Sequence, residues 1–196
     1  IAVGFGRIGS MFAFEQAKIT PDIICLSKGI TGGYMTLSTI LTTDEIYDAF
    51  YDEYIKLNAF LHSHSYTANP IACAAANATL KIFNEKNILK KNIKLSDHIN
   101  KSFESIREHP NVSDVRQKGM IIAIEMVKDK KNKTPYNWKE RRGIKAYLYG
   151  LKNNVLMRPL GNVLYFMPPY VITKKEITFV SEVMREAVNE ATKKNP

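Results

Sequence analysis

The sequence predicts an α/β fold followed by a smaller α+β lobe. Before residue 110, short apolar or β-branched runs alternate with helical patterns, as in a three-layer α/β sheet. After residue 110, short strand candidates and amphipathic helical patterns follow one another closely. Apolar residues make up 45% of the 196 residues and charged residues 24%, which supplies a core and excludes a disordered chain. We therefore expect two domains, 1–109 and 110–196.

The elements of the first domain follow from local patterns. The apolar opening of the chain predicts that residue 1 lies within a strand and that the sequence is part of a longer protein. Apolar or β-branched runs predict strands, whereas a capping Asp44, an Ala-rich stretch and an apolar stripe ended by Pro110 predict helices. The predicted strands are 22–26 and 36–42, and the predicted helices are 44–54, 71–83 and 95–106.

The second domain is predicted in the same way. An extended segment, 112–127, is interrupted at Gly119, and a capping box at Thr173 and Glu176 predicts the start of the last helix. Its apolar face is expected at Ile177, Val180, Met184 and Val188. Further strands are predicted at 155–158 and 163–167. A helix at 138–151 is expected to present Ile144, Tyr147, Leu148 and Leu151 on one face.

Composition excludes several classes of function. The net charge is +9, but the lysines are scattered without interleaved aromatic residues, so nucleic-acid binding is not expected. No apolar stretch approaches the roughly 18–20 residues of a membrane span. Cys25 and Cys73 are predicted to be buried thiols of a cytoplasmic protein, not a disulfide framework. His62 and His64 form an H-x-H pair with no evident third ligand, so no metal site is expected.

The segment Gly4–Gly9 matches the G-x-G-x-x-G fingerprint of dinucleotide-binding folds. This match raises the alternative of a nicotinamide-dependent oxidoreductase. That motif requires a strand before it, a helix after it and an acidic residue about 20 positions further on. Asp22 lies near that spacing, but Pro21 and the strand pattern around Asp22 argue against the role. The fingerprint alone is a weak signal.

Lys28 is the sharper signal. It follows the predicted strand 22–26 and precedes a Gly-rich turn at Thr31-Gly32-Gly33. A lysine in such a position can be partly desolvated, which lowers the pKa of its amine and favours imine formation with a carbonyl cofactor. Local pattern alone leaves open the alternative of an exposed lysine at the end of a strand.

Three longer segments resemble the class III, or ω-amino acid, aminotransferases that use pyridoxal 5'-phosphate. The segment around Lys28 resembles the cofactor-lysine region of that family, and the two later segments resemble its phosphate-loop and C-terminal substrate segments. The similarity covers essentially the whole chain. These segments read GFGRIGSMFAFEQAKITPDIICLSKGITGGYMTLS, HSHSYTANPIACAAANATL and RPLGNVLYFMPPYVIT.

The resemblance implies a role for each matching residue. Lys28 would hold pyridoxal phosphate as an imine and then shuttle the proton during transamination. Ser65 falls where the family commonly has a Thr that binds the cofactor phosphate from the neighbouring subunit, with His64 beside it. Arg158 falls on an arginine that binds a substrate carboxylate through its guanidinium fork. Further substrate contacts are expected from Arg7, Tyr165 and Gly29.

The resemblance also implies the architecture of the protein. It predicts fold type I of pyridoxal-phosphate-dependent enzymes: the end of the large three-layer α/β domain, then the small C-terminal α+β domain. It implies a homodimer with shared active sites. The family's Asp for the pyridinium nitrogen, its ring-stacking aromatic residue and its Gly-Ser phosphate turn are expected upstream of Ile1. The 196 residues are therefore expected to be inactive alone.

Within the family, the chain is most similar to the biotin-biosynthesis members. This likeness rests jointly on GFGRIGSMFA, LTTDEIYDAF, HSYTAN and the block from RPLGN to MPPY. It implies amino transfer to 8-amino-7-oxononanoate, with S-adenosylmethionine or lysine as the donor. The remaining alternatives are a class III enzyme acting on ornithine, 4-aminobutyrate or β-alanine, and an inactive truncated product.

Overall fold

Two short antiparallel strands precede and follow the Lys28 segment. The structure is a computed structural model that describes residues 1–193. In it, β1 (Ile23–Ser27) pairs with β2 (Ser38–Thr42), and a 3-10 turn, Lys28–Thr31, follows β1 directly. Both strands lie within two residues of their predicted positions. They belong to the first of two compact units, Ile1–Leu89.

The opening residues do not form the strand that was predicted for residue 1. Residues 1 and 2 have no regular structure, and residues 3–12 are turns and bends before α1 (Ala13–Ala17). The amino group of Ile1 donates a hydrogen bond to the carbonyl of Cys25 at 3.4 Å. A strand requires a hydrogen-bonded neighbour, and the sheet of this unit contains only β1 and β2. The prediction was therefore wrong for the described chain.

The helices of the first unit differ in length from the predicted helices. α2 (Asp44–Asp48) ends well before the predicted Tyr54, because none of its residues is buried and a short helix without packing is marginal. α3 (Pro70–Lys86) is slightly longer than predicted. Asn69 caps it by accepting hydrogen bonds from two backbone N–H groups, and Pro70 occupies its first turn.

The second unit begins at Lys90, within α4 (Ile88–Ser102). Its sheet is antiparallel in the order β3-β4-β7-β6, with β5 paired to β4. One face of the sheet packs against α4, α5, α6 and α7 in one hydrophobic core. The predicted helix 95–106 is divided at Phe103 into α4 and α5. The bounds are α5 (Glu104–Arg107), β3 (Val112–Lys118), β4 (Ile121–Asp129), β5 (Thr134–Pro135), α6 (Arg142–Lys152), β6 (Arg158–Leu160), β7 (Val163–Phe166) and α7 (Lys174–Thr192).

Several predictions for this unit are confirmed. The extended segment folds into the β3–β4 hairpin with Gly119 at a φ of 55° in its turn. Thr173 and Glu176 form the predicted capping box of α7. Ile177, Met184 and Val188 are fully buried on its inner face, with Val180 packed beside them. The division into domains at residues 109 and 110 stays a prediction.

Helix α6 buries a different face from the one that the large apolar residues predict. Its buried residues are Arg142, Gly143, Ala146 and Gly150, whereas Leu148 and Leu151 are exposed. A Cβ at Gly143 would collide with the carbonyl oxygen of Gly161, and a Cβ at Gly150 would collide with Met157. The small residues therefore let the helix approach the β6 segment closely, which a face of Leu and Tyr could not do. No helix in residues 1–193 has the length and apolar character of a membrane span.

His109 makes the stability of the second unit sensitive to pH. Its Nδ1 accepts a hydrogen bond from the N–H of Asn111 at 3.0 Å, and its Nε2 lies 3.0 Å from the amide oxygen of Asn189. This arrangement requires a neutral ring. Burial, together with the charge of Lys130, lowers the pKa of His109 below its ordinary 6.5, although the Asn189 contact opposes the shift.

We expect His109→Asn to reduce the pH dependence of unfolding. The unfolded state protonates His109 near pH 6.5, whereas the folded state resists protonation. The stabilising effect of neutral His109 is therefore fully present above pH 6.5 and is lost as the pH falls through the lowered folded pKa. Asn retains an acceptor for the Asn111 N–H but does not titrate. Thermal unfolding at several pH values tests this, and equal slopes for both proteins below pH 6.5 would contradict it.

Candidate active site

Lys28 lies at the end of β1, as predicted. Its side chain is exposed, and no carboxylate in residues 1–193 forms an ion pair with it. Its backbone φ is 48°, in the left-handed region that residues other than glycine rarely adopt. Such a conformation persists only where the surrounding structure fixes it, and it is enriched at functional sites. The chain thus presents an unpaired primary amine on a constrained turn.

Two hydroxyl groups fasten the ends of this turn. The Oγ of Ser27 donates to the carbonyl of Leu37 at 2.8 Å, and the Oγ1 of Thr31 donates to the carbonyl of Met35 at 2.6 Å. Thr31 is buried, with 1% of its surface exposed. Sequence reasoning did not identify Thr31. A β-branched hydroxyl residue three positions after the lysine was the available signal.

The G-x-G-x-x-G segment does not have the context of a dinucleotide site. No strand precedes Gly4 in the described chain, and the helix after the motif, α1, has only five residues. The nicotinamide alternative therefore has no structural support here. Arg7 is partly buried within this segment, in the same unit as Lys28.

Ser65 lies in an exposed turn just before α3. His64 organises that turn: its carbonyl accepts from the N–H of Thr67 at 2.9 Å, and its Nδ1 accepts from the N–H of Tyr66 at 3.1 Å. Helix α3 begins directly after this turn, and its N-terminus carries the positive end of the helix dipole, although the N–H groups of Ile71 and Ala72 are already bound by Asn69. The position of Ser65 suits a phosphate contact, and its role and that of His64 stay predictions.

Arg158 and Tyr165 are direct cross-strand partners in the second unit. Tyr165 also lies opposite Ala123, which lies opposite Arg116, so the four residues form one row across the sheet. Direct partners on antiparallel strands present their side chains on the same face. Arg116 is bound by Asp114 and Glu125, whereas no carboxylate of residues 1–193 pairs with the exposed Arg158.

An apolar groove of about 670 Å³ lies beside this pair. Arg158 and Tyr165 line it together with apolar side chains that include Leu156, Val171 and Phe179. A guanidinium beside an apolar surface suits a carboxylate at the end of a hydrocarbon chain. The described residues contain no cluster of three metal-ligating His, Cys, Asp or Glu side chains.

Comparison with known proteins identifies the family. Residues 1–188 match the model of the family described as aminotransferase class-III. The chain is 46% identical, over 98% of its length, to the adenosylmethionine-8-amino-7-oxononanoate aminotransferase of Helicobacter pylori, of which it covers 43%. Identity to the protein of the same name from Geobacter sulfurreducens is 43%, over 98% of this chain and 42% of that one.

Solved structures agree with the sequence relatives. The adenosylmethionine-8-amino-7-oxononanoate aminotransferase of Methanocaldococcus jannaschii matches with a TM-score of 0.93 and 40% identity, over 97% of this chain and 44% of that one. An ω-transaminase of Pseudomonas jessenii, solved with PMP, matches with a TM-score of 0.90 and 28% identity, over 96% and 42%. The predicted fold type I is confirmed. The chain spans less than half the length of these relatives, and it belongs to the aminotransferase class-III family.

Proposed function

We propose that the protein transfers an amino group to 8-amino-7-oxononanoate, giving 7,8-diaminononanoate for biotin biosynthesis. The observation that carries this proposal is the 46% identity to the Helicobacter pylori aminotransferase across 98% of the chain. The ω-transaminase of Pseudomonas jessenii is less similar, at 28% identity. The names of the relatives favour S-adenosylmethionine as the donor, and lysine is the alternative donor.

The cofactor of the proposed reaction is pyridoxal 5'-phosphate, and the residues present fit it. Lys28 offers an exposed amine without a carboxylate partner among residues 1–193, as a covalent link to an aldehyde requires. Ser65 offers a hydroxyl ahead of the N-terminus of α3 for the phosphate. When bound, the cofactor withdraws electrons from the carbon that carries the amino group. The amine of Lys28 would take the proton from that carbon and deliver it to the former aldehyde carbon of the cofactor, which is the proton transfer that transamination requires.

Arg158 is proposed to hold the carboxylate of the keto acid, with Tyr165 and the apolar groove along the hydrocarbon chain. Gly29 and Arg7 are proposed as further substrate contacts near Lys28. We also propose a cytoplasmic homodimer. Its supporting observation is the aromatic surface between α2 and α3, where Tyr51, Tyr54 and other large side chains are exposed. Exposed apolar patches of this kind mark protein interfaces.

Spectroscopy of the full-length gene product tests the reaction. With pyridoxal phosphate bound, S-adenosylmethionine and lysine are added separately, and the loss of the visible absorbance band is followed. We expect one donor to bleach the band and 8-amino-7-oxononanoate to restore it. If neither donor acts but another ω-amine does, the substrate assignment is wrong. If no band forms, the proposed reaction is wrong.

Arg158→Leu is expected to raise the KM for 8-amino-7-oxononanoate by about 10- to 100-fold, because hydrogen bonds to a charged group contribute about 1.5–3 kcal/mol. Arg158→Lys is expected to recover part of this loss, since it restores the charge but not the fork. The matched control is Arg116→Leu, in the same cross-strand row but already bound by two carboxylates. Equal effects of both leucine variants on KM would contradict the assignment.

A further inference from the structure

Phe5 is the central residue of the small core beneath the Lys28 turn. It is buried, with 3% of its surface exposed, and it packs with Leu26, in β1, and Ile30, within the turn, which lie on either side of Lys28 in the sequence. Its ring lies edge-on to Phe12 at 5.5 Å and tilted against Phe83 at 6.2 Å. Its backbone φ is 57°, which a bulky residue adopts only where the surrounding structure fixes it.

Gly29, the residue after Lys28, lies directly against Phe5. A Cβ at Gly29 would lie 2.8 Å from Cδ2, 3.1 Å from Cβ and 3.2 Å from Cγ of Phe5, and these are its three nearest atoms. The ring therefore occupies the space that a side chain at position 29 would need. Ser27 and Thr31 hold the two ends of the turn through their hydroxyl groups, and Phe5 contacts its middle.

The left-handed backbone of Lys28 sets the direction in which its side chain leaves the turn. A change in φ toward the common negative region would swing the side chain away from its present direction. The residue that supports the peptide immediately after Lys28 thus controls where the amine lies. Phe5 is that residue, and the glycine-rich segment around it, with Gly6 at a φ of 82° and Gly9 at 101°, supplies the loop that brings the ring there.

We propose that Phe5 and Gly29 form a positioning pair that fixes the backbone of Lys28 and thereby the place of its amine. This proposal rests on the proposed role of Lys28 as the cofactor lysine. It gives the G-x-G-x-x-G segment a function unrelated to dinucleotide binding. Phe5 is a positioning residue, because it contacts the peptide beside Lys28.

The test uses the full-length gene product loaded with pyridoxal phosphate. Phe5→Ala, Gly29→Ala and the double variant are compared with the unchanged protein. We expect each single variant to lower kcat about 100-fold, as a displacement of about 1 Å does. Phe5→Ala should leave KM within about twofold, whereas the KM of Gly29→Ala is not a criterion, because Gly29 is also a proposed substrate contact. We also expect a shift in the midpoint of the absorbance band's pH titration. The double variant should lose much less than the product of the two single effects, because both changes act on one contact.

Phe12→Ala is the matched control. It removes an aromatic ring from the same cluster, while the atoms nearest to position 29 all belong to Phe5. It should lower the melting temperature but leave kcat and the titration midpoint unchanged. If Phe5→Ala does not fold, the same measurements are made on Phe5→Leu.

Borohydride reduction followed by peptide mass analysis distinguishes failure of the proposed function from failure of the positioning role alone. If the unchanged protein carries no trapped cofactor on Lys28, the proposed function fails and the positioning role fails with it. If Lys28 is trapped but the Phe5 and Gly29 variants match the unchanged protein, or match Phe12→Ala, only the positioning role is wrong. A coupled loss of kcat and a shifted midpoint, absent from Phe12→Ala, supports it.

Discussion

Alanine at position 28 is expected to abolish covalent attachment of pyridoxal phosphate and to lower the transamination rate by at least about 10²- to 10⁴-fold. That range is what a positioned general acid–base group contributes. The loss should exceed it where covalent attachment also accelerates the reaction. Absorbance spectroscopy and single-turnover rates of the full-length protein measure both effects.

The same change should leave the folded state almost undisturbed. Lys28 is exposed and has no ion pair within residues 1–193, so its side chain contributes little to packing. The left-handed φ of 48° is equally unfavourable for Lys and for Ala. The melting temperature of the cofactor-free protein is therefore expected to stay within error of the unchanged protein. A large fall would mean that the activity loss reflects unfolding.

Lys18 provides a matched control for Lys28→Ala. It is an exposed lysine of the same unit, and its φ of 54° lies in the same left-handed region. Lys18→Ala removes the same charge from the same kind of backbone site and should preserve both the absorbance band and the rate. If Lys28→Ala still forms a borohydride-trapped adduct at another lysine, the assignment of Lys28 is wrong.

Local signals predicted the elements of this fold well where burial and sequence pattern agree. The capping box at Thr173 located the start of α7 because a side-chain cap is a short-range feature. Gly119 located the β3–β4 turn for the same reason. The predicted C-terminal end of α2 was wrong, because the length of a short helix depends on packing that local sequence does not encode.

The prediction of the buried face of α6 was wrong for a different physical reason. Pattern reading gives most weight to large apolar side chains, and it selected Ile144, Tyr147, Leu148 and Leu151. The structure buries Gly143, Ala146 and Gly150 instead, because a close helix–strand approach requires small residues. Small residues carry almost no hydrophobic signal, so only the packed structure reveals such a face.

The candidate site likewise combines residues that the sequence could single out with contacts that only the structure shows. Lys28 could be singled out from its place after an apolar strand, but its cofactor role, like the role of Arg158, came from the resemblance, and both roles stay predictions. That Arg158 and Tyr165 are cross-strand partners depends on the register of β6 and β7, which short strands do not specify from sequence. The contact of Phe5 with Gly29 joins segments 24 residues apart in sequence, and no local pattern reports it.

Loss of the Arg142 guanidinium is expected to destabilise the second unit by about 3 kcal/mol, because several acceptors lose hydrogen bonds from a charged donor, which contribute about 1.5–3 kcal/mol each. Arg142 is buried, with 5% of its surface exposed. One of its terminal nitrogens donates to the carbonyls of Ala191 and Lys193 at 2.8 and 2.6 Å. Its Nε and other terminal nitrogen donate to Glu140 at 3.0 and 2.6 Å, and it stacks on the Tyr136 ring at 4.6 Å.

These contacts connect the start of α6 to the end of α7. The guanidinium supplies positive charge and donors to the last carbonyls of a long helix, where both are favourable. Its hydrogen bonds also hold the pKa of Glu140 below the ordinary value. Alanine would leave these acceptors without the guanidinium and would remove the stacking on Tyr136. Arg142→Lys should restore the charge but recover only part of the loss, because a single ammonium cannot reproduce the fork.

Arg116→Ala is the control that distinguishes the stabilising effect of a buried guanidinium from that of ion pairing alone. Arg116 also contacts two acceptor side chains, Asp114 and Glu125, but half of its side-chain surface is exposed, at 51%. Exposed pairs contribute about 0–1 kcal/mol, so this variant should shift the urea midpoint only slightly. If Arg142→Ala shifts the midpoint no more than Arg116→Ala, the guanidinium does not hold α6 and α7 together. A shift several times larger at an unchanged denaturant slope would mean that the buried fork, and not the charge alone, stabilises the end of α7.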